Sequence, residues 1–335
     1  MFNGWSEALS GLGEQVEEYP LDAALRFFNA ALAETGEVRA CGCREVRKFL
    51  DRDQAARLAV DPVLSAAHRF GPDVILFVSA FFIPPWLLEV LRARGHTIVM
   101  LMTESPYQDD FQLKAAAYAD LTLLNDPVNI GLYRDLGPAE YMPQAYRETV
   151  HYPPAPGTEP EYDLAFVGTG FPSRVRFFHQ MSLAGLNVRL SGLWMDLPED
   201  SPMREWTATE ADDCVGNDET AEIYRRSRTG INVYRTESEG GHAGEGWACG
   251  PREIEMAASA LWFARDPRPE SDELFPMLPA FTSPAEASDL IRWALTHPDQ
   301  RAEAALKARA AVADRTFTEH AKKLLRLLSR QPVNM

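Results

Sequence analysis

The sequence predicts an α/β protein built from two doubly wound lobes. Short apolar runs rich in β-branched residues alternate with helical patterns, and the alternation restarts after a proline-rich segment. Runs without polar alternation, such as residues 73–78, are typical of strands buried on both faces of a parallel sheet. Strand, helix and strand at this spacing predict a parallel sheet with helices on both faces, once in each half of the chain.

The length of the chain also favours two lobes. Its 335 residues are 46% hydrophobic, and one domain usually holds about 100–200 residues. We therefore expect a first lobe at residues 1–152, a second lobe at residues 153–315 and a C-terminal segment at residues 316–335.

The first lobe opens with a helical pattern at residues 6–12, and residues 15–19 predict a strand after it. A later helix stops at Gly95, since glycine commonly follows a helix end. The other predicted elements of this lobe are a strand at 73–78, a helix at 85–94, a strand at 97–102, a helix at 111–118 and a strand at 121–124.

Residues 152–157 form the predicted linker. Three of these six residues are proline, which cannot join a helix interior or donate to a sheet ladder. The second lobe then begins with a strand at residues 162–167. Its later predicted strands are residues 188–190, 229–233 and 260–263.

Composition excludes several classes of protein. The formal net charge is −16 and no basic stripe is dense enough to hold a nucleic-acid duplex by charge alone. The longest apolar stretch is interrupted by Ser79 and by Pro84 and Pro85, well short of the ~20 residues that cross a bilayer. The N-terminus lacks the basic-then-apolar pattern of a signal peptide. We expect a soluble, cytoplasmic protein.

The four cysteines predict neither a disulfide framework nor a metal site. Cys41 and Cys43 form a close pair, but no second cluster of cysteine or histidine lies at ligand spacing. We expect reduced thiols, no metal and no tightly bound cofactor.

Residues 250–264 suggest a site for a sugar nucleotide. Gly250 and Pro251 predict that a helix begins there, and a helix N-terminus offers N–H groups to an anion. Arg252 adds a positive charge, and Glu255, one turn later, can accept from the two hydroxyls of a ribose. The alternative is a capped core helix with a solvated glutamate.

A glycine-rich turn follows the first predicted strand of the second lobe. Gly168 and Gly170 let the backbone approach a phosphate, and Arg174 can bind the phosphate with two N–H groups. Open α/β sheets bind ligands beyond the carboxyl ends of their strands, which is where this turn lies. The alternative is a tight turn with a surface arginine.

These segments resemble a known family. Residues 252–260 are similar to the Arg-x-Phe-Glu-x-Ala-Ala-Cys-Gly signature of CgeB-type glycosyltransferase-like proteins, distant relatives of the retaining group-1 glycosyltransferases with the GT-B fold. The resemblance extends from about residue 72 to the C-terminus. Further blocks occur in the family's order at residues 222–232, 272–275, 283–286, 297–298 and 316–320.

The resemblance implies a GT-B architecture, in which two Rossmann-like lobes face a cleft. The first lobe would bind the acceptor and the second the nucleotide sugar, while a C-terminal helix at 318–328 would cross back to brace the first lobe. GT-B lobes open with a strand, yet this chain begins almost at once with the helix at 6–12. Either the first lobe lacks that strand, or the natural chain starts upstream of Met1.

The resemblance also implies roles around the donor. Val215 and Gly216 correspond to a turn that reads the base through backbone groups, before the helix that carries Tyr224. Group-1 enzymes usually carry an acid eight residues before the ribose-binding one, and here that residue is Trp247.

Two residues of the preceding glycine-rich loop are candidates to contact the donor sugar in place of that acid. They are His242 and Glu245. A solvated surface position is the alternative for His242.

On the acceptor side, Glu104 follows the strand at 97–102. A carboxylate there can act as a general base or orient an acceptor hydroxyl, and a turn that caps a helix is the alternative. Further candidates end neighbouring elements, with core or loop packing as the alternative for each: Phe81, Phe82, Asp126, Gln144 and Tyr146.

The function implied is a retaining, metal-independent glycosyltransferase that moves a hexose from a UDP sugar, UDP-glucose or similar, to a hydroxyl. Arginines and a helix N-terminus would neutralise the departing diphosphate. The acidic pairs at 109–110 and 212–213 are adjacent and lack the Asp-x-Asp spacing of a metal site.

Two other classes stay open: a GT-B nucleotide-sugar 2-epimerase, and a non-catalytic nucleotide-sugar-binding or coat protein. The acceptor is open as well. It could be a glycan, a lipid-linked glycan, a protein Ser or Thr, or a hydroxymethylated base in phage DNA.

Overall fold

The computed structural model describes residues 1–29, 35–38, 44–47, 51–194, 197–207, 215–237 and 246–330. Two four-stranded parallel sheets organise these residues, one in each half of the chain. A small antiparallel hairpin of β1 (Thr35–Val38) and β2 (Arg44–Arg47) is separate from both sheets. This is the predicted α/β class, with a parallel sheet and flanking helices in each lobe.

The first lobe contains a sheet with the strand order β3-β4-β5-β6. The central strands β4 and β5 are apolar and buried on both faces, because helices cover the sheet from both sides. The four strands are β3 (Val74–Val78), β4 (Thr97–Met102), β5 (Leu121–Leu124) and β6 (Ala139–Tyr141). The helices of this half are α1 (Phe2–Gly11), α2 (Leu21–Asn29), α3 (Arg52–Val60), α4 (Pro62–Phe70), α5 (Pro85–Ala93), α6 (Asp109–Ala116) and α7 (Ile130–Arg134).

The second lobe has the strand order β10-β9-β7-β8. Its core includes a cluster in which Phe166, Phe178 and Trp194 meet edge to face. The strands are β7 (Tyr162–Val167), β8 (Val188–Ser191), β9 (Ser227–Asn232) and β10 (Phe263–Arg265). The helices are α8 (Pro172–Gln180), α9 (Asn217–Arg225), α10 (Pro251–Ala258), α11 (Pro269–Leu274), α12 (Pro284–Thr296), α13 (Pro298–Ala311) and α14 (Phe317–Leu328), with a 3-10 helix at Pro202–Glu205.

Helix α14 leaves the second lobe and packs on the first. Its buried residues Phe317, Ala321 and Leu324 share a core with Trp5 of α1 and with one face of the first sheet. Lys323 Nζ also donates to the carbonyl of Tyr141, at the end of β6. The last helix therefore joins the two lobes. Across the described ranges, every helix lacks either the length or the apolar character needed to span a bilayer.

Several sequence predictions needed correction. Residues 15–19 form no strand, because the acidic side chains there are exposed and the segment pairs with no ladder. The first helix begins at Phe2 and ends at Gly11, earlier than predicted at both ends. The strand expected at 260–263 starts at Phe263, since α10 ends in a turn in which Ala260 has a φ of 55°. The other predicted strands are present with bounds shifted by up to two residues.

The close packing of α1 on α14 gives a test with a control in the same helix. A Cβ added at Gly4 would lie 2.4 Å from the ring of Phe317, whereas a Cβ at Gly11 would meet no atom within 4 Å. We expect Gly4→Ala to lower the free energy of unfolding by about 1–3 kcal/mol through overpacking. Gly11→Ala should leave it unchanged or raise it by up to about 1 kcal/mol. Chemical denaturation measures both, and equal stabilities would contradict this packing.

Candidate functional site

The loops that follow the parallel strands of the two lobes meet in a cleft. Strand ends of one parallel sheet lie along one edge, so the turns after them collect there. Residues after β4 and β5 of the first lobe contact residues after β9 and β10 of the second, and the segment before α10. Glu104 and Asp126 of the first lobe and Gly168 and Gly170 of the second lie on such turns, while Arg174, Arg252 and Glu255 lie on the helices that follow them.

Helix α10 begins at Pro251, as predicted, and an internal carboxylate fixes its start. Glu253 is fully buried, and its Oε2 accepts from the Gly250 N–H at 2.8 Å and the Ser271 hydroxyl at 2.9 Å, as well as from the Tyr234 hydroxyl. Burial raises the pKa of Glu253. This carboxylate ties the helix to neighbouring segments and faces away from solvent.

Glu255 lies in a different environment on the same helix. Its side chain is only 15% exposed, unlike the solvated carboxylate of the alternative interpretation. Oε1 accepts from Asn217 Nδ2 at 3.2 Å, and His151 Nε2 lies 3.8 Å away. Burial raises the pKa of Glu255, while the nearby amino group of Met1 acts in the opposite direction.

Arg174 is buried in the core of the second lobe and is no surface arginine. Its Nε donates to the Val233 carbonyl at 2.8 Å and its Nη1 to the Thr169 carbonyl at 2.9 Å, which joins the ends of β7 and β9. The guanidinium lies 5.3 Å from the ring centroids of both Phe166 and Phe171. Burial, reinforced by Arg252, lowers the pKa of Arg174 to about 8.

Arg174 belongs to an arginine cluster with Arg235, Arg252 and Arg268. Shared aromatic rings connect its members. Arg174 and Arg252 lie over Phe166, and Arg174 and Arg235 over Phe171. Arg235 also lies 4.5 Å from the centroid of the Tyr107 ring, and Arg268 Nη2 donates to the Tyr107 hydroxyl.

The arginines of the cluster differ in their partners. Within the described ranges, Arg235 forms an ion pair with Glu104, whereas neither Arg174 nor Arg252 pairs with a carboxylate. Arg252 Nε is buried and has no hydrogen-bond partner among those residues. Buried charge without a partner is costly. The arrangement therefore favours an anion in the cleft.

The glycine-rich turn has a packing requirement of its own. A Cβ at Gly170 would lie 2.4 Å from the Trp194 ring, and one at Gly192 would lie 2.6 Å from the Gly168 carbonyl oxygen. Gly192 also has a φ of 108°, which a residue with a side chain rarely adopts. Tight packing alone is therefore a reason for glycine at these two positions.

The N-terminus of α8, which follows this turn, already holds a carboxylate. Glu237 accepts from the N–H and the hydroxyl of Ser173, each at 2.7 Å. These hydrogen bonds lower the pKa of Glu237 against the opposing effect of burial. A phosphate would therefore bind at the N-terminus of α10 and the arginine cluster more easily than at the N-terminus of α8.

The predicted base-binding turn is only partly described. Gly216 is the N-cap of α9, Val215 precedes it, and Asn217 in the first turn donates to Glu255. Tyr224 is buried in the core, and its hydroxyl has no partner within the described part of the chain. His242, Glu245 and the acidic pair at 212–213 lie outside the described residues.

Asp126 connects the two lobes. Its Oδ2 accepts from the backbone N–H groups of Trp247 and Ala248, both at 2.9 Å. Burial raises the pKa of this carboxyl. The side chain thus holds the segment before α10 against the first lobe, a contact between lobes that sequence reasoning did not predict.

In the first lobe, Glu104 lies at the cleft and pairs with Arg235 of the opposite lobe. After the neighbouring strand β3, Phe82 is 60% exposed and Phe81 stacks on Phe111 at 5.0 Å. The turn that presents these rings contains left-handed φ angles at Ser79, Ala80 and Phe82. Such backbone strain concentrates at functional sites.

Two further first-lobe candidates lie away from these rings: Gln144 is buried, and Tyr146 forms a bridge with Thr316 at the start of α14. Of the acidic pair at 109–110, Asp109 accepts from Asn129 and from the Tyr133 hydroxyl inside the first lobe.

Sequence reasoning missed Arg235, Arg268 and Glu253. The two arginines follow β9 and β10 by only three residues each, and that position was a usable signal. Glu253 is two residues from Glu255, so the two acids project from different sides of α10.

Residues 174–326 match the family described as "Glycosyl transferase-like". No curated protein matches the chain in sequence. Similar solved structures include sucrose-phosphate synthase from Thermosynechococcus elongatus, with a TM-score of 0.57 and 14% identity over 88% of this chain and 85% of that one.

A second similar structure is the Anabaena protein HepE in complex with UDP and glucose, with a TM-score of 0.56 and 11% identity over 82% of each chain. A third is a UDP-forming trehalose-phosphate synthase from Burkholderia xenovorans, with a TM-score of 0.56 and 12% identity over 84% of this chain and 80% of that one. The fold is that of GT-B glycosyltransferases, and the family match over residues 174–326 together with this fold supports glycosyltransferase activity.

Proposed function

From this GT-B architecture we propose that the protein transfers a hexose from a UDP sugar to a hydroxyl, with retention at the sugar and without a metal ion. One observation carries the proposal. The second lobe concentrates arginines at the ends of its strands, and Arg174 and Arg252 have no carboxylate partner among the described residues. A diphosphate supplies the missing negative charge.

The geometry of α10 supports the position of the nucleotide. Its N-terminus and Arg252 would face the diphosphate, and Glu255 lies one turn further on with Asn217 beside it. That spacing suits a ribose joined directly to the diphosphate. Val215 and Gly216 directly precede Asn217, and Tyr224 lies on the same helix, which supports a base site near the start of α9.

The similar structures favour uridine as the base. HepE has been solved with UDP, and also with UDP-glucose, and the Burkholderia enzyme is named as UDP-forming. We therefore propose UDP-glucose or a close analogue as the donor.

The first lobe supports an acceptor with a ring. Phe82 and Phe111 are exposed and Phe81 stacks on Phe111, and flat apolar faces of sugar rings stack on such surfaces. Diphosphate binding would compete with Glu104 for Arg235 and free the carboxylate to orient the acceptor hydroxyl. A glycan fits this surface better than DNA, given the net charge of −16.

Turnover of a donor panel tests the function. The protein is incubated with UDP, GDP and ADP sugars and with oligosaccharide acceptors, and UDP and glycosylated product are measured with EDTA present. We expect UDP and product in equal amounts, unchanged by the chelator, because arginines take the role of a metal. Loss of turnover in EDTA with recovery in manganese would overturn metal independence. UDP with an epimerised free sugar would reveal an epimerase, and donor binding without any turnover a binding protein.

Arg174→Ala tests the diphosphate site, with Arg176→Ala as the matched control because Arg176 is exposed on the same helix. Loss of a charge-assisted bond to phosphate should weaken UDP binding by about 1.5–3 kcal/mol in the first variant only. Calorimetry measures UDP affinity, and circular dichroism checks that each variant is folded. If folded Arg174→Ala binds UDP like the parent, Arg174 does not contact the diphosphate.

Glu255→Gln tests the ribose contact, with Glu219→Gln as an exposed control on α9. The parent should prefer UDP over 2′-deoxy-UDP because the carboxylate accepts from the 2′-hydroxyl. The variant should bind UDP more weakly and show little preference, since the contact is already lost. Equal binding of the two nucleotides by the parent would remove Glu255 from the ribose site.

A further inference from the structure

His151 is a buried histidine with one unused nitrogen. It lies in the turn that leads from the first lobe into the proline-rich linker, and its side chain is only 1% exposed. The Nε2 atom is buried and has no hydrogen-bond partner among the described residues. Buried polar groups normally have partners, so an unsatisfied one at a cleft suggests a role in binding.

A backbone contact determines which nitrogen of His151 carries the proton. The N–H of Arg147 donates to Nδ1 at 3.3 Å, so Nδ1 acts as the acceptor. A neutral imidazole has one donor and one acceptor nitrogen. Nε2 is therefore the N–H donor, and burial lowers the pKa of His151 to about 4, which keeps the ring neutral at pH 7.

The carboxylate nearest to this donor belongs to Glu255. Nε2 lies 3.8 Å from Oε1, slightly beyond hydrogen-bond distance, and Asn217 Nδ2 donates to the same oxygen at 3.2 Å. The two donors come from different parts of the chain, one from the linker turn and one from α9. A small inward shift would let both hold Oε1 and would leave Oε2 for a ligand.

We propose that His151 is a positioning residue for the nucleotide, which holds Glu255 through Nε2–H so that the free carboxylate oxygen accepts from the ribose. The inference rests on the proposed function, because it assumes that Glu255 binds the ribose. Nothing in the motifs of the second lobe points to His151, which precedes that lobe in the chain.

The surroundings of the turn make it a rigid support. Arg147 pairs with Glu7 of α1 and with Asp218 of α9. Arg225 Nη1, at the end of α9, donates to the Val150 carbonyl at 2.8 Å. These contacts anchor the turn to both lobes, so His151 couples the linker to the ribose site.

Two substitutions separate the proposed role from a purely structural one. In His151→Asn the short side chain keeps an acceptor for the Arg147 N–H but has no donor that reaches Glu255. In His151→Gln the longer side chain places an amide N–H near the position of Nε2. Affinities for UDP and 2′-deoxy-UDP are measured for both variants by calorimetry, and thermal melting checks the fold.

We expect His151→Asn to reduce the preference for UDP over 2′-deoxy-UDP by about 3- to 10-fold, the effect of one lost hydrogen bond. His151→Gln should recover most of that preference. Adding His151→Asn to Glu255→Gln should cause no further loss, because the histidine acts through the glutamate. In the parent, nitrogen NMR of the ring should show the Nε2–H tautomer near pH 7.

Three results would overturn the inference: full preference in folded His151→Asn, additive losses in the double variant, or an Nδ1–H tautomer in the parent. If His151→Asn does not fold, two other measurements test the inference. They are the tautomer of His151 in the parent and the affinities of His151→Gln for UDP and 2′-deoxy-UDP. A parent without any preference for UDP would instead show that the ribose role of Glu255 has failed. If instead Glu255→Gln loses the preference for UDP and His151→Asn keeps it, the ribose role of Glu255 stands and only the role of His151 fails.

Discussion

The buried guanidinium of Arg174 is the interaction on which the second lobe depends. It joins the ends of β7 and β9 through the carbonyls of Thr169 and Val233, and it lies between two aromatic rings. Those neighbours satisfy two of its donor atoms, and within the described part of the chain no carboxylate pairs with its charge. A protein tolerates a buried charge of this kind when a ligand of opposite charge completes the site. The cleft therefore suits an anionic ligand.

Two carboxylates of the first lobe contact the second lobe at the cleft. Glu104 supplies one negative charge to the arginine cluster from the opposite lobe, and Asp126 holds the segment before α10 by two backbone hydrogen bonds. Helix α14 packs on one face of the first sheet, together with α1. The lobes are therefore joined at the cleft and also through α14. A ligand that competes for Arg235 would alter the pair of Glu104 with Arg235 and leave α14 in place.

Much of the fold could be predicted because its strands are continuous apolar runs. Strands β4 and β7 were predicted at their observed bounds, and the start of α10 followed from Gly250 and Pro251. The strand predicted at 15–19 was wrong because a local pattern cannot show whether a sheet partner exists. The site was harder to predict. Arg235, Arg268 and His151 lie next to residues that are far away in the sequence, so only the folded chain brings them together.

A crystal structure of the protein with UDP would test the central claim most directly. The account predicts the diphosphate within hydrogen-bond distance of Arg174 and Arg252 at the N-terminus of α10, with both ribose hydroxyls at Glu255. UDP bound at any other surface, with the arginine cluster unchanged, would contradict it.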